Sequence, residues 1–110
     1  MDFRTLFRAD KPVIGMVHLL PLPGSPGWGG SMEAVLERAL ADARAWAEGG
    51  ASALLVENYG DVPFHPESVE PHTIAAMTLA VAAVREATAL PVGVNVLRND
   101  ARAALGIAAA

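Results

Sequence analysis

The chain has 110 residues, a formal net charge of −4, a pI near 5.2 and no cysteine. That length holds one small domain. The acidic balance and scattered basic residues give no electrostatic basis for nucleic-acid binding, and the lack of cysteine excludes disulfide scaffolds, thiolate metal sites and cysteine nucleophiles.

The N-terminal stretch Met1–Arg8 alternates charges, has no apolar core and does not read as a signal peptide. Within it, Phe3, Leu6 and Phe7 share one side of a short amphipathic turn, expected to cap the bottom of a core. Pro12 precedes the run Val13-Ile14-Gly15-Met16-Val17-His18-Leu19, which has the near-continuous apolar character of a strand buried on both faces. The longest apolar stretch, Val13 to Leu22, is interrupted by Gly15, His18 and Pro21. It falls short of the roughly 20 residues a membrane-spanning helix needs, and a cytoplasmic location is the default expectation.

The loop Pro21–Gly30 is too rich in proline and glycine for regular structure. It is either a packed, proline-stiffened connection or a lid carrying Trp28 as a stacking group. Ser31 is a candidate N-cap, with Glu33 well placed for the helix dipole. Val35, Leu36, Ala39, Leu40, Ala43, Trp46 and Ala47 follow at helical spacing until Gly49-Gly50 ends the helix. A second strand runs from Ser52 to Val56, and a loop from Glu57 to about Glu70. Pro71 suits the first turn of another helix. Its residues Ile74, Met77, Leu79, Val81 and Val84 predict burial around much of its circumference, to about Ala89. Pro91–Val96 is a third strand, and Asn99 or Asp100 caps a third helix starting near Ala101.

The order is βαβαβ followed by a helix. Alternation of this kind predicts a parallel sheet with right-handed crossovers, either an open doubly wound sheet or the opening of a (β/α)8 barrel. A full barrel takes roughly 250 residues, and Leu105–Ala110 ends inside an apolar helical pattern. The expectation is therefore a partial barrel domain over residues 1–110. Its sheet edges would need the remaining barrel units, or self-association, to cover them.

Strand ends are where parallel α/β proteins carry their sites, so the polar residues there are the candidates. His18 is a general acid/base or ligand, or else a buried histidine bonded to backbone. Glu57 is a base or a binder of sugar hydroxyls, or else the partner of an arginine. Asn58, a substrate-binding candidate, follows it directly, so the two point to opposite faces, and one can face the site while the other packs or caps. Asn95, an amide among valines, needs a hydrogen-bond partner and is a substrate-binding candidate. Arg98 suits a phosphate or carboxylate, or a surface ion pair. Aligned on Gly15 and Gly93, His18 and Asn95 have opposite parity, so that alignment cannot turn both to one face. Asp61 and His65 could extend His18 and Glu57 to an oxygen/nitrogen metal set, but an Asx-type turn and an exposed histidine are the simpler reading, and no metal is assigned. The Gly24–Gly30 loop is not a nucleotide fingerprint, no P-loop or Gly-x-Ser-x-Gly pattern occurs, and the cofactor is left unassigned.

Three blocks together resemble the BtpA/SgcQ family: Lys11–Pro26, beginning Lys-Pro-Val-Ile-Gly-Met-Val-His; Val56–Phe64, reading Val-Glu-Asn-Tyr-Gly-Asp-Val-Pro-Phe; and Pro91–Asp100, reading Pro-Val-Gly-Val-Asn-Val-Leu-Arg-Asn-Asp. The resemblance implies the N-terminal βαβαβ(α) portion of a TIM barrel and a predicted enzyme of unassigned reaction. It also implies two functional contexts. One is a small sugar-like metabolite, phosphorylated or not, because some relatives sit among sugar-metabolism genes. The other is photosystem I biogenesis with peripheral membrane association, the context of a photosynthetic member. An inactive fragment is the third expectation. No catalytic residues carry over from the family.

Overall fold

The computed structural model describes residues 1–110, in the order α1 (Phe3–Phe7), β1 (Ile14–His18), α2 (Met32–Glu48), β2 (Ala53–Glu57), α3 (Pro71–Ala87), β3 (Val92–Asn95) and α4 (Ala101–Ala109). The helix ends follow from local chemistry. Ser31 Oγ accepts from the Ala34 N–H at 3.1 Å and caps α2. At the other end Gly50, with φ +93°, lets its own N–H reach Ala47 O at 3.2 Å and the Ala51 N–H reach Trp46 O at 3.0 Å. This pairing satisfies the last carbonyls of the helix and requires the left-handed conformation that glycine adopts without strain. Pro71 opens α3, where a missing N–H leaves no bond unmade. Of the two candidate caps for α4, Asp100 is used: its Oδ1 accepts from the Ala103 N–H at 2.9 Å. Asn99 instead donates to Pro66 O.

The strands form one parallel sheet in the order β1-β2-β3. The rows Gly15–Leu54–Val92 and Val17–Val56–Val94 face the helices, and the alternate rows Met16–Leu55–Gly93 and His18–Glu57–Asn95 face the other way. α2 packs against β1 and α3, while α3 and α4 pack against each other and β3, so the three long helices make a single layer. Between helices and sheet lie Val17, Leu22, Val35, Leu54, Val56, Met77, Val84 and Val96, all fully buried. Ala39 and Ala43 of α2, with Ala76 and Ala80 of α3, supply small buried side chains where two helices meet. This is the α/β arrangement with which a (β/α)8 barrel opens: sequential parallel strands with helices on one side.

Three expectations are corrected. α3 is buried along one stripe only, Thr73, Ala76, Met77, Ala80 and Val84, while Leu79 is exposed. Its neighbours α2, α4 and the sheet occupy one side of it, and nothing packs on the other. α1 lies near the amino ends of β2 and β3, around a cleft of about 660 Å³ shared with Gly50–Ser52 and Ala89–Pro91. It does not seal the core, since Phe3 and Leu6 remain exposed and no residue of α1 is buried. Its five residues are too few to reach across the sheet. Lastly, Gly15 is paired through Leu54 with Val92, not with Gly93. That one-residue offset reverses the parity argument and puts His18 and Asn95 on the same face.

The packed reading of the Pro21–Gly30 loop is the one the structure shows. Trp28 is half-buried against the core, and turns close through Ser25 N–H to Leu22 O at 3.1 Å and Trp28 N–H to Ser25 O at 3.1 Å. Trp46 lies over Gly15, where a Cβ would stand 2.4 Å from its ring. The Trp46 indole N–H donates to Met16 O at 3.0 Å. This occupies a carbonyl on the free edge of β1.

Candidate strand-end site

Glu57 ends the central strand, and the register sets His18 on one side of it and Asn95 on the other. The three side chains form one row at the carboxyl ends of the strands, on the face away from the helices. The Asn95 amide donates to Glu57 Oε2 at 2.7 Å, and His18 Nε2 stands 3.4 Å from Glu57 Oε1. Glu57 is 9% exposed. A carboxylate this deep needs such partners, because burial without them is costly. The imidazole is 43% exposed and lies flat on the Tyr59 ring, with centroids 4.3 Å apart and planes 13° from parallel. Phe64 leans on Tyr59 at 6.5 Å. The row thus joins an ionisable carboxylate, an imidazole and an amide around one open surface, a set able to transfer protons and to bind hydroxyl groups.

Asn58 turns the other way and is 1% exposed. Its Oδ1 accepts from the Leu97 N–H at 2.7 Å and its Nδ2 donates to Leu97 O at 3.2 Å. The side chain thereby continues the β2–β3 ladder past the end of both strands. The loop after it is pinned at two further points. Gly60 lies so close to the β1–α2 connection that a Cβ would sit 2.7 Å from Pro21 N and 2.8 Å from Leu19 O. Asp61 Oδ1 accepts from the Leu22 N–H at 2.7 Å. Burial raises the Asp61 carboxyl above its usual 3.8, against the lowering effect of the Leu22 N–H, the Asn58 and Ser25 side chains and the nearby His72. Asp61 is therefore a clasp between two loops rather than the simple local turn its neighbours in sequence predict.

Arg98 is exposed on the loop after β3 and forms no ion pair; its backbone N–H donates to His65 O at 3.2 Å. His65 is exposed. His18, Glu57, Asp61 and His65 do not converge, and no group of three His, Asp or Glu side chains is placed to hold a metal ion. The carboxylate of Asp100 spans two elements, capping α4 and accepting from the Val69 N–H at 2.9 Å. These two N–H donors, Ala103 first, hold it below its usual 3.8. The Tyr59 platform and the Asp61 clasp carry no signal in spacing or periodicity. Their partners lie on other loops, and only the adjacency of Glu57-Asn58-Tyr59 hints at the first.

Fold and site define a parallel α/β protein with a polar row at the carboxyl ends of its strands, the end where proteins of this architecture hold their ligands. The chain belongs to the BtpA family, whose model matches residues 9–110. It is 51% identical over 108 residues to the photosystem I biogenesis protein BtpA of Synechocystis, covering 98% of this chain and 38% of that one. An uncharacterized protein of Archaeoglobus fulgidus is 55% identical over 101 residues, covering 92% of this chain and 40% of its own. An uncharacterized mitochondrial protein of Caenorhabditis elegans is 30% identical over 109 residues, covering 94% and 39%. The chain thus spans about two fifths of the length of these relatives. No solved structure matches. No helix is long and apolar enough to cross a membrane.

Proposed function

We propose that the His18–Glu57–Asn95 row is one wall of an acid–base site for a small, hydroxylated, sugar-like metabolite. The observation that carries this reading is a buried carboxylate, Glu57, engaged by an imidazole and an amide in one register row. A carboxylate offers about four acceptor positions. The contacts to His18 and Asn95 use two, and the others are available to substrate hydroxyls. The row contains no lysine or arginine, so it favours a neutral part of the ligand. Arg98, exposed and in no ion pair, is the cation available on the β3 loop for a phosphate or carboxylate group. Asn58 serves the site by fixing the β2 and β3 ends relative to each other.

Thermal-shift measurements with a panel of sugars and sugar phosphates test the reading. Stabilisation by one class, lost in Glu57→Gln and Asn95→Leu and weakened in Arg98→Ala only for phosphorylated ligands, supports it. Stabilisation that survives both Glu57→Gln and Asn95→Leu overturns it.

A second reading, a scaffold in photosystem I biogenesis, is favoured by the name of the Synechocystis relative. It draws less support from the chain itself, because the same region is shared with an archaeal and a nematode protein. Co-purification with photosystem subunits that is indifferent to Glu57→Gln would favour it over the metabolite site.

A further inference from the structure

We infer that Tyr59 is a positioning residue for His18, holding the imidazole with Nε2–H toward Glu57 so that Nδ1 is the proton-accepting atom of the site. The inference rests on the acid–base reading of the row and divides the labour within it: His18 moves the proton, Glu57 and Tyr59 orient it, and Asn95 orients Glu57.

The distances carry the division. The Asn95–Glu57 contact of 2.7 Å is a well-formed hydrogen bond, so Asn95 fixes the carboxylate plane. The His18–Glu57 contact of 3.4 Å lies within ion-pair range but is longer than the roughly 2.7–2.9 Å of a charge-assisted bond. That separation brings Nε2 to the carboxylate, yet a contact this long cannot by itself hold the ring, or keep that nitrogen facing Glu57, in a side chain that is 43% exposed. Face-to-face contact with Tyr59 at 4.3 Å and 13° supplies the missing restraint.

Tyr59 can do this because its own backbone is held on both sides. Asn58 is bonded twice to Leu97, Gly60 is wedged against Leu19 and Pro21, and Asp61 accepts from Leu22. The phenol itself is 55% exposed. It is therefore a poor candidate for a core residue, and its ring makes aromatic contacts with His18 and Phe64 only.

With Nε2 protonated and facing Glu57, the lone pair lies on Nδ1, which has no protein partner. In the proposed step Nδ1 takes the proton of an acidic O–H or C–H on the bound metabolite. The electron pair stays on the metabolite as an anion, and the imidazolium formed faces the Glu57 carboxylate. Return of the same proton closes the step, so no oxidant or co-reactant is required.

Imidazole nitrogen NMR on the ligand-free protein in mildly alkaline buffer tests the inference. The expected result is a single Nε2–H tautomer for His18, with its ring protons shifted upfield by the Tyr59 ring. Tyr59→Phe should preserve both signatures, because the ring suffices. Tyr59→Leu should abolish the upfield shift and give a mixture of tautomers, while the signals of His65 and His72 stay in place. An Nδ1–H tautomer in the wild type, or an unmixed Nε2–H tautomer in Tyr59→Leu, would overturn it. Because no ligand is present, a protein that shows the expected tautomer but binds no metabolite sinks the functional reading alone. Metabolite binding with the opposite tautomer sinks only the assignment of roles.

Discussion

Asn58 offers the sharpest test of how the site is held together. Its amide is 1% exposed and makes two bonds to the Leu97 backbone, at 2.7 and 3.2 Å. Asn58→Ala removes both, at about 1 kcal/mol each, and leaves the Leu97 N–H and C=O short of partners, so the total loss is about 2–4 kcal/mol. For a domain this small that is a large part of the stability, about 5–15 kcal/mol in general. Asn58→Asp separates the two bonds. Ionised, the introduced carboxylate still accepts from the Leu97 N–H, but its other oxygen faces the Leu97 carbonyl and the charge is buried. Protonated, it can donate to that carbonyl and restore both bonds. Its folded pKa is therefore raised, and the penalty appears as pH climbs above the unfolded value of about 3.9. Urea unfolding at neutral and at acidic pH measures both effects. A loss below about 1 kcal/mol in Asn58→Ala, or a deficit in Asn58→Asp that does not shrink on acidification, would refute the Asn58–Leu97 pairing as the support of the site.

Further outcomes follow from the same loops. Burial raises the Asp61 carboxyl above 3.8, so its contribution to wild-type stability is most favourable below that value and declines as pH rises through the folded one. Asp61→Asn keeps an acceptor for the Leu22 N–H without the buried charge. It should melt higher than the wild type at neutral pH, with the gap closing in acid; a gap widest in acid contradicts this. Gly60→Ala drives a Cβ into the backbone of Leu19 and Pro21, which cannot swing aside, and should cost about 1–3 kcal/mol in denaturant titration. Gly15→Ala pushes instead on the half-exposed Trp46. It should free the indole from Met16 O and red-shift its fluorescence, with a smaller loss of stability than Gly60→Ala.

Much of the fold was legible because its signals are local. Ser31, Gly50, Pro71 and Asp100 mark helix ends through their own backbone or side-chain chemistry, and the apolar runs of the three strands differ plainly from the helical repeats. The candidate row was legible residue by residue, since His18, Glu57 and Asn95 are polar interruptions at strand ends. Their convergence was not. Register depends on how three strands slide past each other, and taking Gly15 as the partner of Gly93 displaced the strands by one residue and turned His18 away from Asn95. The same limit hid Tyr59 and Asp61, whose meaning lies in partners on other loops. Hydrophobicity misjudged α1 and α3 for a related reason: an apolar side chain is buried only where another element arrives to cover it.

The central claim is that His18, Glu57 and Asn95 form a ligand-binding row at the strand ends. Chemical-shift mapping with sugars and sugar phosphates, read on the backbone and on the His18, Asn95 and Tyr59 side chains, tests it most directly. The account predicts shifts centred on those residues, reaching Arg98 only with phosphorylated ligands and vanishing in Glu57→Gln. Shifts centred instead on the cleft beside α1, or persisting unchanged in Glu57→Gln, would contradict it.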